Sequence, residues 1–249
     1  MTSAEETTRF APDHLEPINP FDRTGYDLAV YESLVDRDKA LVWMISRPSF
    51  DIETAVAIEA NPVFAAEPES TTATIPDPFG DGGGRRSEII GYDYFVTATK
   101  PKRQIWRSEE ISQNRVGSAF STTNEIEKKR VGIPKSVVEV ITEAWEEVLG
   151  DTRYVTENYR GLDGITFQFG TRGKAGEIWC PDGGPPLQLA ELGELLLRVV
   201  EAEEVEREVI LREGVDLAKL IAGLTVSSEK GRNNQPTTAP EPISEGRSQ

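Results

Sequence analysis

The chain has 249 residues, of which 37% are hydrophobic, 28% charged and 8% aromatic, enough apolar material for one sizeable core or two small ones. That profile excludes collagen, a coiled-coil rod and a disulfide-stapled miniprotein. With 43 acidic against 27 basic residues the formal charge is -16, which repels nucleic acid unless the cations are segregated, so nucleic-acid binding is not expected.

The single cysteine, Cys180, cannot form an internal disulfide, and the opening Met1-Thr2-Ser3-Ala4-Glu5-Glu6 does not read as a secretory leader. The expected location is cytoplasmic. The longest apolar run, Ala40 to Ile45, falls far short of the roughly 18 residues that a membrane span requires, so no membrane association is expected.

Taken in chain order, residues 1–25 contain Pro12, Pro17 and Pro20 without a hydrophobic period and read as an extended or disordered leader. Residues 26–66 read as a buried strand, Leu41 to Ile45, and a short helix over 51–60 opened by Ser49 or Asp51 and ended at Asn61-Pro62. This stretch is marginal as an independent domain and is expected to pack on the larger domain downstream. Residues 67–87, with Pro68, Pro76, Pro78 and Gly82-Gly83-Gly84, read as a linker or loop.

An α+β domain is expected over residues 88–226. Tyr92, Tyr94, Val96 and Ala98 alternate with Asp93, Phe95, Thr97 and Thr99 at the period of a strand, and Gln104-Ile105-Trp106 would return beside it after a turn at Lys100-Pro101-Lys102. Residues 108–132 are polar and weakly patterned. After Pro134, the stripe Val137, Val138, Ile141, Trp145, Val148 and Leu149 predicts a helix, with Gly150 as a left-handed cap. Ile165, Phe167 and Phe169 open a second hairpin that turns over 171–176 and returns through 177–180. Pro185-Pro186 then starts a helix carrying Leu189, Leu192, Leu196 and Val199 inward, and a last helix is predicted over 215–224. Residues 227–249 have little to bury and read as a disordered tail. The order predicts an antiparallel sheet built from two hairpins, with helices packed on one face and disordered tails at both ends.

The catalytic inventory is thin. Histidine serves most proton-transfer and metal-binding chemistry near neutrality, yet the chain holds only His14, in the leader. A Ser-His-Asp or Cys-His set would need His14 pinned against the core; no metal and no cofactor is expected. Cys180 reads as an inert thiol at a strand end. Gly80 to Arg86 lacks the Gly-Lys-Ser/Thr ending of a phosphate loop.

Carboxylates are the abundant reactive groups. Asp163 and Asp182 bracket the second hairpin, where a pair of acids would serve a carboxylate-dependent, metal-assisted hydrolase, although aspartate before glycine at a hairpin end is an ordinary turn residue. Lys100, Lys102, Arg103 and Arg107 surround Trp106 in a basic patch, followed by Lys128-Lys129-Arg130; pairing with the chain's own acids is the favoured reading. Glu139, Glu143, Glu146 and Glu147 on one helix, and Glu194 and Glu201 on another, form acidic faces suited to a basic protein partner. The leading expectation is therefore a non-enzymatic binding protein, an adaptor or inhibitor, with immunity to a basic toxin as one concrete form; the hydrolase is the alternative.

Overall fold

The computed structural model describes residues 11–18, 25–65, 89–105, 125–155 and 163–232. In chain order its elements are β1 (Glu16–Pro17), α1 (Gly25–Leu34), β2 (Ala40–Pro48), β3 (Thr54–Phe64), β4 (Ile89–Pro101) and β5 (Ile126–Gly132), then α2 (Lys135–Gly150), β6 (Ile165–Thr171), β7 (Ala175–Trp179), α3 (Gly184–Glu201) and α4 (Glu204–Arg232). All seven strands pair antiparallel in one sheet, ordered β1-β7-β6-β2-β3-β4-β5. The fold is α+β, as the element order predicts.

Alternate residues of a strand point to opposite faces, and here both faces are covered. Val42, Met44, Val56, Ile58, Val96, Phe169 and Ile178 meet the apolar stripes of α2, α3 and α4 in the larger core. Trp43, Ile45, Ala55 and Ala57 point the other way, into a smaller core closed by Ala29, Val30 and Leu34 of α1. The three later helices thus share one face, while α1, which no strong hydrophobic period announces, covers the other.

The helix expected over 51–60 is instead β3. Its Ala and Glu residues favour a helix locally, but Ala55 through Ala60 are all buried, so a helix there would have no wet face. Between β2 and β4 the same residues form a central strand buried on both sides, which produces a near-continuous apolar run rather than alternation. Pro62 does not interrupt it. The Ala60 N–H points toward β2, donating to the Lys39 carbonyl at 3.0 Å, and two residues on Pro62 faces the same way where β2 has already ended.

The expected return strand over 104–106 is also corrected, because the outer partner of β4 is β5. Glu59 is 2% exposed and requires a cation; β5 supplies Lys128, whose Nζ lies 2.9 Å from Oε1, and Arg130, whose Nε lies 3.9 Å from Oε2. The Arg130 guanidinium also covers the Phe95 ring at 3.5 Å. Gln104 and Ile105 tuck beneath the α1 side. The Ile105 N–H donates to Glu53 Oε2 at 3.1 Å, and the Tyr26 hydroxyl of α1 donates to the other oxygen of that buried carboxylate. Burial, and then Glu53, push the Tyr26 hydroxyl pKa up, so it stays protonated as the donor.

Three boundaries move as well. Gly150 closes α2 as a helical residue, and Asp151, with φ -97°, is its C-cap, so no left-handed cap forms there. The last helix begins at Glu204 and runs to Arg232, well past both predicted ends. Residues 11–18 lie along the sheet: the Ile18 N–H donates to the Ala175 carbonyl, the Arg153 N–H to the Leu15 carbonyl, and the Leu15 side chain is fully buried. The expected linker over 67–87 and the tail beyond 232 lie outside the described residues.

Beyond Ala60 of β3 and before Tyr94 of β4, the two strands pair only with each other among the described residues. This two-stranded ribbon exposes Phe64, Ile89, Ile90 and Tyr92. Among the described residues, no helix is long and apolar enough to cross a membrane.

Candidate functional site

The helix α3 carries two stripes rather than one. Leu189, Leu192, Leu196 and Val199 enter the main core, whereas Leu187, Glu191, Glu194 and Arg198 recur at helical spacing on its flank. That flank faces a groove of about 960 Å³. Its second wall comes from Glu213, Asp216, Leu217 and Leu220 of α4, and its floor from Ile165 and Phe167 of β6 with Cys180 and Pro181 beyond β7.

One glycine, one arginine and one cysteine set the position of these walls. At Gly193 a Cβ would lie 2.3 Å from the Met44 Sδ, so α3 approaches the sheet as closely as it does only because that residue has no side chain. Arg207 Nη2 donates to the Ala202 carbonyl at 2.9 Å and Nε to the Val199 carbonyl at 3.2 Å, satisfying acceptors at the α3 C-terminus and fixing the turn into α4. Cys180 leaves the strand with φ 43°, a left-handed conformation that redirects the chain toward α3. Its Sγ accepts from the Ile165 N–H at 3.2 Å.

Four carboxylates, Glu191, Glu194, Glu213 and Asp216, crown this apolar groove against one guanidinium, Arg198. Asp216 has Lys219 at 3.9 Å; among the described residues the other three acids make no ion pair. Glu194 is exposed as a residue, but partial desolvation raises its carboxyl pKa above the usual value. The groove offers apolar contact area beneath a concentrated negative potential.

Of the acids picked from sequence, Glu194 lies at this groove. Glu201 ends α3 and faces Lys129 of β5 at 4.0 Å. Glu139, Glu143, Glu146 and Glu147 belong to α2, with Glu139 drawn to Lys135 at 3.4 Å. The acids picked from sequence thus lie on α2 and α3, the two helices expected to carry them. In the basic patch, Lys102 pairs with Glu125 at 2.8 Å and Lys129 with Glu127 at 3.4 Å; Lys100 and Arg103 are exposed, and Arg107 and Trp106 lie outside the described residues.

Asp163 and Asp182 flank the adjoining ends of β6 and β7, but neither lines the groove. Asp182 Oδ2 accepts the Ala11 N–H at 3.1 Å, and Asp163 is exposed. His14 is largely buried beside Leu15, with Nδ1 2.8 Å from Asp13 Oδ1. The contact from His14, reinforced by Arg153 at 3.0 Å, holds the Asp13 carboxyl below the usual range. Among the described residues no cluster of three or more His, Cys, Asp or Glu side chains is placed to hold a metal ion.

Sequence reasoning missed Arg198, Glu213 and Asp216 as companions of Glu194. The available signal was the breadth of the apolar arc on α3: Leu187, Ala190 and Leu195 fall outside the main stripe and imply a neighbour on a second side. No protein-family model, curated protein or solved structure matches this chain.

Proposed function

We propose that the chain is a binding protein whose groove between α3, α4 and the β6–β7 end accepts a segment of another protein bearing both apolar and basic side chains. The carrying observation is the four-to-one excess of carboxylates over cations around an apolar groove. An amphipathic basic helix is the occupant that best fits such walls, its apolar face against Ile165, Leu217 and Leu220 and its Lys or Arg side chains toward the rim. The rim acids would set association rate and partner choice, and the apolar floor the residence time. The hydrolase alternative gains no support from the geometry, since Asp182 is engaged by backbone and the groove lacks both aspartates.

A fluorescent Leu/Lys amphipathic peptide of about four helical turns tests the reading by anisotropy. It should bind the wild type at low ionic strength and weaken steeply between about 50 and 300 mM salt, as screened charges require. Glu191→Lys/Glu194→Lys should weaken it at least tenfold, whereas Glu139→Lys/Glu143→Lys on α2 should change it less than twofold. Equal loss in both variants would point to bulk charge rather than the groove.

A further inference from the structure

We propose that a second cavity, on the α1 side of the sheet, binds a small anion bearing a planar ring. This cavity measures about 720 Å³, within the range of small-molecule sites, and lies between α1, the turn after it and the β6–β7 turn. Its inner wall includes Trp43 and Tyr31, whose ring centroids are 5.1 Å apart at 60°. The indole is seated on backbone: a Cβ at Gly170 would fall 2.2 Å from it, so the ring is held rigidly in place. Trp43 is itself 3% exposed, so it backs the half-buried Tyr31 ring, and Tyr31 is the fixed aromatic surface that favours a flat ring at little entropic cost.

The mouth carries Arg37, Arg172 and Lys174 against Glu32 and Asp38. Elsewhere in this acid-rich chain several cations find carboxylates, as Lys102, Lys128 and Lys135 do. Among the described residues these three do not, and the one side-chain hydrogen bond they make is from Arg172 Nη2 to the Asp38 carbonyl at 3.4 Å. Three cations left without carboxylate partners at one cavity, in a molecule of net charge -16, are positioned for an anion from outside. Their placement is preset. Thr171 Oγ1 accepts the N–H groups of Gly173 at 3.3 Å and Lys174 at 3.2 Å, holding the turn that carries Arg172 and Lys174. A carboxylate, sulfonate or phosphate on an aromatic ring would meet the cations while its ring enters beside Tyr31 and Trp43.

The site is independent of the groove reading, and one probe separates them. 8-Anilinonaphthalene-1-sulfonate, a ring-bearing anion, should bind the full chain saturably at one equivalent with enhanced fluorescence. Arg37→Glu/Lys174→Glu alters exposed residues; it should retain the wild-type far-ultraviolet circular dichroism and weaken the probe at least tenfold. Glu191→Gln/Glu194→Gln, in the groove, should leave it within twofold. The proposal is overturned by an absence of saturable binding, by unchanged affinity in the Arg37/Lys174 variant, or by loss only in the groove variant.

Discussion

Gly170 and Glu194 show how single residues carry the architecture and the site. A methyl group at Gly170 would collide with a rigid indole, not with the end of a flexible chain, so relief requires the Trp43 ring or the β6 backbone to move. Gly170→Ala should cost about 1–3 kcal/mol in urea unfolding, while Gly91→Ala, with nothing within 4 Å, should stay near neutral. Glu194 has the opposite sign. Its folded-state pKa is raised by desolvation, so ionising it opposes folding; the penalty is absent below its usual value and grows as pH rises through the raised one. Glu194→Gln should therefore raise the thermal midpoint at pH 7, with the advantage vanishing near pH 4, while weakening a basic peptide. A residue kept at a cost to stability is understandable where it serves binding.

At the scale of elements, α3 and α4 act as a unit only if the turn between them is fixed. Arg207 gives two charge-assisted hydrogen bonds to carbonyls that would otherwise lack partners. Arg207→Ala should lower stability by about 1–2 kcal/mol in chemical denaturation. It should also weaken peptide binding at the groove without removing any rim charge. The elements differ in how plainly the sequence announces them. The helices α2 and α3 are legible from their apolar stripes, because each buries one side and wets another, and β6 from the alternation of Ile165, Phe167 and Phe169 with Thr166 and Gln168. The strand β3 is not, since burial on both faces erases alternation and leaves helix-favouring alanines as the local signal. Nor is β5, whose Lys128, Lys129 and Arg130 pattern makes sense only once the buried Glu59 beside it is known. The groove is hidden for a related reason: its walls lie some twenty residues apart on two helices, and its floor comes from a hairpin.

For the whole molecule, residues 11–18 belong to the folded unit. Leu15 contributes a fully buried side chain to the core shared by the sheet and α2–α4, and its carbonyl ties down Arg153 after α2. Leu15→Ala should cost about 2–5 kcal/mol, the range for a leucine cavity in a packed core, read from the denaturation midpoint. A leader merely draped over the surface would register almost no change. The two cavities lie on opposite faces of one sheet and carry opposite charge bias, so a shared scaffold can present a cation-seeking and an anion-seeking surface without mutual interference.

The projecting tip of the β3–β4 ribbon has a practical corollary for anyone handling the material. Phe64, Ile89, Ile90 and Tyr92 are solvent-facing there, and among the described residues the main chain on both margins runs on past its neighbouring strands. Such a tip is the natural seed for clumping in concentrated stocks, despite the strong mutual repulsion of the molecules at large. Ile90→Lys should suppress light scattering on concentration while leaving the melting temperature essentially unchanged.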